Sequence, residues 1–469
     1  MPVSPAYRPD PRFAALGDAF SDVVAPASFP QHLTRHRHDR AAASVGLETL
    51  TDEEWVAHMG RFEPLPGNMS APRAMRYHGH QFRNYNPDIG DGRGFLFAQM
   101  RDHEGRLLDL GTKGSGQTPY SRFGDGRLTL KGGVREVLAS SLLEARGVDT
   151  SKALSLIETG EALERNDEPS PTRSAVLVRL SHGHIRFGTF QRHAFHQDAE
   201  ALDALRVHVR DCYLPEAVDA PSMLAAAARN LARTCAGWMA AGFVHGVLNT
   251  DNVTVTGESF DYGPWRFLPR FEPGFTAAYF DHGGLYAFGR QPEACFWNCR
   301  ALAAALTPLA AEDDLAEALR AFEPAYRDAL RRAVLGRLGI GTAALEDDLA
   351  LVRSAFTLLE TTGQAWEPFF LRWFGGRLRD GTPAPEEAAW AAMLAERTPA
   401  RPERLHHPYF AREAPVDLLI EEVEALWEAI DERDDWRPLA ERLTAIEAAR
   451  QAHDFPRNFD ASAADDGTA

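Results

Sequence analysis

The sequence predicts an α+β protein of two lobes, the first rich in strands around one helix and the second mostly helical. Three observations carry that expectation. Residues 94–113 read as two strands joined by a turn, and a helical pattern follows them. A long amphipathic stretch, "SMLAAAARNLARTCAGWMAAG", opens a run of helical segments. Between the two textures stands the loop "HGVLNTDN", with "FDYG" shortly after it, and these gather polar residues suited to chemistry.

Taken in order, residues 1–72 mix Pro, His and Ala without firm periodicity and read as an N-terminal extension. Its "HLTRHRHDR" holds His32, His36 and His38 with no Cys or acidic ligand cluster nearby, which predicts a solvated loop or helix surface and no metal site. Residues 73–194 form the first lobe. "GFLFAQM" is a compact apolar strand, "RDHEGR" a turn and "LLDLGTK" the return strand. In "LKGGVREVLASSLLEARGV", Val134, Val137, Leu138, Ser141 and Leu142 recur at helical spacing, and Gly147 is the expected stop. "SAVLVRL" and "HIRFGTF" are expected to pair as strands around the turn "SHGH". Residues 195–395 form the helical lobe, whose long helix carries Leu224, Ala228, Leu231, Cys235 and Trp238 on one stripe. Residues 396–469 form a C-terminal extension, and its last ten or so, "DASAADDGTA", are expected to be disordered. A β-rich lobe, a helical lobe and chemistry in the loop between them is the layout of a protein-kinase-like bilobal fold.

Composition narrows the function classes. A chain of 469 residues is long enough for two or three units of about 100–200 residues. A net charge of −17 argues against nucleic acid as the main partner, because phosphate backbones need a basic face. Only three basic residues are lysines, Lys113, Lys131 and Lys152. Four cysteines are too few for a disulfide scaffold, and "CFWNC" has no second pair to complete a zinc site, so buried helical thiols are expected. The N-terminus lacks a basic-then-apolar signal pattern, and no apolar run approaches the ~18–20 residues of a membrane span. A cytoplasmic monomer that binds neither membrane nor nucleic acid is the expectation.

The candidate chemistry falls on a few stretches. In "NPDIGDGRG", Gly90, Gly92 and Gly94 precede a strand, where glycine lets backbone amides approach phosphate oxygens; Arg93 lies among them. Lys113 ends the return strand, and Glu136 on the next helix is placed to pair with it, with Glu144 as a competitor. "SRFGDGR" adds Asp125 and Gly126 at the same lobe edge. If "SHGH" is a four-residue turn, Arg179 faces Arg186 across the strand pair. Like charges directly opposite are unfavourable unless a polyanion lies between them, so the pair predicts a phosphate clamp. In the loop, His245 and Asn252 fit the kinase pattern of a catalytic-loop His and a metal-binding Asn, but the base position holds Val247. Asn252 and Asp261 suit Mg²⁺, and the alternating "VTVTGESF" between them reads as a short hairpin returning one toward the other. Asp251 is left as the proton acceptor.

As a set, "YHGHQFRNYNPDIGDGRG", "KGSGQTPYSRFGDGR", "VREVLAS", "RLSHGHIRFGTFQ", "HGVLNTDN" and "FDYGPWRFL" resemble the selenoprotein O family of protein adenylyltransferases, over roughly residues 72–310. The resemblance implies ATP contacts on Gly90, Gly92, Arg93, Lys113, Asp125, Gly126, Arg179 and Arg186, with Glu136 paired to Lys113. It implies Asp251 as proton acceptor, and Asn252 and Asp261 on Mg²⁺ (or Mn²⁺), Asp261 also lying near the nucleotide. The implied reaction moves AMP from ATP to Ser, Thr or Tyr of proteins, with the nucleotide reversed relative to a kinase. A kinase-like phosphotransferase and a non-catalytic ATP-binding scaffold are the alternatives. The chain departs from the family pattern where many members carry cysteines: Ala277 stands shortly after "FEPG", and the last cysteine is Cys299. No redox switch between that segment and the tail is therefore expected.

Overall fold

The computed structural model describes residues 3–166 and 168–455. The tail "DASAADDGTA" lies outside the described residues. The chain is mixed α/β, with a large antiparallel sheet and many helices.

The strands that build the sheet and its margin are β1 (Arg8–Pro9), β2 (Ser21–Val23), β3 (Leu33–Arg37), β4 (Arg73–Met75), β5 (Gly79–Gln81), β6 (Asn84–Asn86), β7 (Leu96–Arg101), β8 (Leu107–Lys113), β9 (Leu128–Thr129), β10 (Lys152–Leu163) and β11 (Thr172–Ser181). The main sheet runs β2-β4-β7-β8-β11-β10-β3, with β1 on β7 and β9 on β11; β5 and β6 pair separately. The turn between β7 and β8 is held by Asp102 Oδ1, which accepts the Glu104 and Arg106 amides at 3.0 and 2.9 Å.

Side chains alternate between the two faces of the sheet, as the two-residue strand period requires. Leu96, Leu107, Ala175 and Leu177 join the core on the helical side. Phe95, Phe97, Leu108, Leu110, Val176 and Val178 face a second core built with Leu47, Trp55 and Met59. Residues 41–65 thus cover the back of the sheet, and β1, β2 and β3 extend it, so the segment ahead of residue 73 is built into the same body.

The helix α1 (Leu130–Ala145) packs on the other face. Thr129 caps it by accepting the Gly132 amide at 3.1 Å, and the chain leaves it through Gly147 at φ +80°. The segment "HIRFGTF" is not a strand: α2 (Phe187–Phe195) begins there. Its alternation is a fragment of a helical face, on which Phe187 and Phe190 are buried one turn apart. Gly188 meets the His78 carbonyl so closely that an added Cβ would lie 2.1 Å from its oxygen. The helix α3 (Ala220–Ala241) is capped by Asp219 and ends at Gly242 in the left-handed region. It is followed by α4 (Gln291–Leu306), α5 (Ile420–Arg433) and α6 (Arg437–His453) among others. The C-terminal part folds back on the sheet side: Arg173 and Arg35 both pair with Asp434, at 2.8 and 3.3 Å.

Two further expectations are settled here. His36 lies within β3 and not on a solvated loop or helix, and burial pushes His36 and His38 down to about 4. Cys295 and Cys299 are free, buried thiols on α4, as expected.

Candidate active site

Strand β8 delivers Lys113 and α1 delivers Glu136, and the two meet with Nζ 2.5 Å from Oε1, both buried. The competitor Glu144 is taken elsewhere, by Lys152 at 3.0 Å and by Arg40. Lys113 also reaches Asp261, at 2.7 Å from Oδ1, and Arg179 Nη1 lies 3.3 Å from the same oxygen. Burial opposes ionisation of Asp261, but Lys113 and Arg179, with Arg93, overcome it and hold the carboxyl well below the usual range.

Arg179 and Arg186 do not face each other across a strand pair. Arg179 lies opposite Gly111 on β8 and Ala153 on β10, and Arg186 caps α2 and bridges to Thr254. They converge by another route, because the chain turns at Gly183 (φ +83°) and brings both into one cleft. Arg186 Nη1 pairs with Asp91 at 2.9 Å, and Asp91 in turn accepts the Met75 amide at 3.0 Å. Both arginines are about 5% exposed, and each keeps its Nε buried with no hydrogen-bond partner among the described residues.

The catalytic-type loop follows β-structure at the end of α3. His245 is buried; its backbone amide donates to Gln291 Oε1 at 3.0 Å and its ring meets the Phe260 carbonyl at 3.3 Å. The short ribbon β5–β6 braces the loop: the His80 amide donates to Thr250 Oγ1 at 2.7 Å and the Phe82 amide to Asn249 Oδ1 at 3.0 Å. Asp251 Oδ1 is out of water with no hydrogen-bond partner among the described residues. A side chain at Gly79 would put its Cβ 2.8 Å from that oxygen, so glycine there leaves room for the carboxylate. Burial pushes Asp251 up to about 6, against the pull of Arg186 and with the push of Asp261.

The segment "VTVTGESF" is not a self-paired hairpin. It turns through Gly257 (φ +72°), whose amide donates to the Thr254 carbonyl at 3.1 Å, but its arms pair outward, Thr254 with Arg186 and Ser259 with Thr150. The turn is fixed at its far side by Glu258, which accepts the His182 amide at 2.8 Å. Asp261 then takes a left-handed backbone, φ +63°, uncommon for a residue with a Cβ, though Asp tolerates it better than most.

One cleft of about 740 Å³ is lined by Gly90, Gly92, Arg93, Lys113, Asp125, Gly126, Arg179, Arg186, Asp251 and Asp261. Glu136 stands behind Lys113. Asn252 adjoins Asp251 in sequence but is not part of the lining; its Nδ2 donates to the Val247 carbonyl at 3.1 Å, which leaves Oδ1 as the free acceptor. Gly90 carries the Tyr120 ring, where an added Cβ would meet Cγ at 2.5 Å. Gly126 (φ +72°) abuts the Gly116 backbone. Asp125 is held by Arg165 at 2.9 Å.

Sequence reading missed Tyr77, Asp91, Tyr120 and Phe260, which all line or buttress the cleft. Asp91 stood inside the glycine stretch and could have been weighed as a partner for an arginine. The aromatic residues carried no local signal.

Comparison with known proteins shows the family. Residues 6–377 match the family model of the protein adenylyltransferase SelO. The chain is similar to the protein nucleotidyltransferase YdiU of Gloeobacter violaceus, at 44% identity over 92% of both chains. It is 41% identical to that of Synechocystis sp., over 94% of this chain and 98% of the other. A Vibrio cholerae relative of the same name is 40% identical over 74% of this chain and 71% of its own. With a nucleotidyltransferase family covering the sheet, the arginine-lined cleft and the Asp251 loop alike, the chain belongs to the SelO family of protein adenylyltransferases.

Proposed function

We propose that this chain transfers AMP from ATP to Ser, Thr or Tyr hydroxyls of proteins, releasing pyrophosphate. The single observation that supports this reading best is the pair of buried arginines, Arg179 and Arg186, each with an unpartnered Nε in the cleft that also holds Lys113 and Asp261. Buried donors without partners are costly, and a polyphosphate satisfies them with charge-assisted bonds. With the β- and γ-phosphates held by the arginines and Lys113, the α-phosphorus is left toward Asp251. The acceptor oxygen forms a bond to that phosphorus, the α–β bridging P–O bond breaks, pyrophosphate leaves, and Asp251 takes the hydroxyl proton.

Asn252 Oδ1 and the Asp261 carboxylate are the oxygen donors suited to Mg²⁺ or Mn²⁺. Among the described residues no group of three or more His, Cys, Asp or Glu could hold a metal ion. One carboxylate and one amide still fit Mg²⁺, which is commonly held by one or two carboxylates together with substrate phosphates. When bound, such an ion would neutralise phosphate charge during transfer. Lys113 and Arg179 both pair with the Asp261 carboxylate.

In this reading the sheet with α1, residues 73–194, and the helical part, residues 195–395, are the two lobes of a kinase-like fold with the cleft between them. A cytoplasmic monomer belongs to the same proposal; no helix among the described residues is long and apolar enough to cross a membrane.

The test separates outer phosphates from the rest of the nucleotide. Arg179→Ala and Arg186→Ala should each weaken ATP by about 1.5–3 kcal/mol, roughly 10- to 100-fold, and AMP much less. Isothermal calorimetry with both nucleotides checks this. Equal losses for ATP and AMP would remove the outer phosphates from the clamp.

A further inference from the structure

Resting on the nucleotide placement above, we infer that Phe260 is the positioning residue of the arginine clamp. Arg179 and Arg186 carry like charges into one buried space, and carboxylates serve them unequally. Arg186 has Asp91 at 2.9 Å, while Arg179 has only the more distant share of Asp261, at 3.3 Å, because Lys113 holds the same oxygen at 2.7 Å. What the two guanidinium groups have in common is a ring. Each Cζ lies over Phe260, 5.4 Å from the centroid, inside the ~6 Å reach of a cation–π contact. Arg186 is covered in addition by Tyr77, at 4.2 Å.

An aromatic partner differs from a carboxylate in what it leaves free. A carboxylate takes the N–H edge of a guanidinium, the same edge a phosphate needs. A ring stabilises the cation by its π face and consumes no N–H donor. That is the state of these arginines: charged, buried and set over a ring, with both Nε donors unpartnered among the described residues. Phe260 is itself held firmly. It is 2% exposed, the His184 ring stands edge-on to it at 6.2 Å and 84°, and its carbonyl meets the His245 ring. It also immediately precedes Asp261, so one residue fixes the ring under the clamp and the start of the left-handed backbone that presents the carboxylate.

A residue that only fills the core could be exchanged for another apolar one of similar size. Phe260→Leu keeps an apolar side chain and removes the π face. It should weaken ATP about tenfold, with AMP changed less than about twofold, as expected for two buried cation–π contacts. Steady-state kinetics should show KM for ATP rising by the same factor with kcat largely kept, and Phe260→Tyr should restore most of the affinity. Should the leucine variant fold poorly, phenylalanines bearing one to three ring fluorines at position 260 keep the shape and drain the π face. ATP affinity should then fall stepwise with fluorine number. Unchanged ATP affinity in Phe260→Leu, or a flat fluorine series, would overturn the inference. Arg179→Ala and Arg186→Ala measured beside them separate the two levels. If they lose ATP and the position-260 variants do not, Phe260 is core only and the nucleotide placement stands. If the arginine variants keep ATP as well, the nucleotide placement itself fails.

Discussion

Asp261→Ala should lose ATP-dependent transfer by about 10³-fold, since the metal-linked oxygen donor proposed for Asp261 would be worth several kcal/mol at a phosphoryl centre. Its carboxylate is shared by Lys113 and Arg179 and is presented from a left-handed backbone position. Initial rates across a magnesium titration read the effect. The same variant has a second, opposite signature. In metal-free buffer it should bind ATP no worse than the parent chain, because removing the carboxylate frees Lys113 and Arg179 and lifts a negative charge from the cleft. Full activity of Asp261→Ala at every magnesium concentration would exclude Asp261 from the metal role.

Asp251→Asn should cost about 10²–10⁴-fold in transfer rate while ATP affinity is kept, the range for loss of a general base. The substitution keeps the shape of a side chain whose Oδ1 is buried without a partner beside Gly79, so the fold should tolerate it. Single-turnover rates and ATP calorimetry on the same preparation separate chemistry from binding. A variant that transfers normally would return the search for the base to the rest of the cleft; one that loses ATP instead would make Asp251 a nucleotide ligand.

Much of this site was legible because its residues announce themselves locally. The β7–β8 pair, α1 and the Lys113–Glu136 meeting follow from apolar period, turn chemistry and spacing within about 25 residues. The loop at 245–252 was visible as a cluster of polar residues after a long helix. The failures have a common physical origin. In "HIRFGTF" a few residues of alternation are compatible with both periods, and only the burial of Phe187 and Phe190 under neighbouring chain decides for the helix. "VTVTGESF" satisfies its backbone against Ile185 and Phe187 on one arm and Asp149 and Ser151 on the other, partners far away in sequence. Residues 41–65 show little periodicity of their own yet close the second face of the sheet, a role set entirely by long-range packing. Tyr77 and Phe260 are ordinary aromatics in sequence; what makes them part of the site is two arginines arriving from β11 and from the cap of α2.

The central claim is that the buried arginines hold the outer phosphates and leave the α-phosphorus to the acceptor. The most direct measurement is label transfer. Purified protein, Mg²⁺ and acceptor proteins are incubated in parallel with ATP labelled at the α-phosphate and ATP labelled at the γ-phosphate. The account predicts protein-bound label from the α-labelled nucleotide, cut about 10³-fold in Asp261→Ala, and γ-label recovered only as pyrophosphate. Protein-bound label from the γ-labelled nucleotide alone, with ADP as the product, would contradict it and make this cleft a phosphotransferase site.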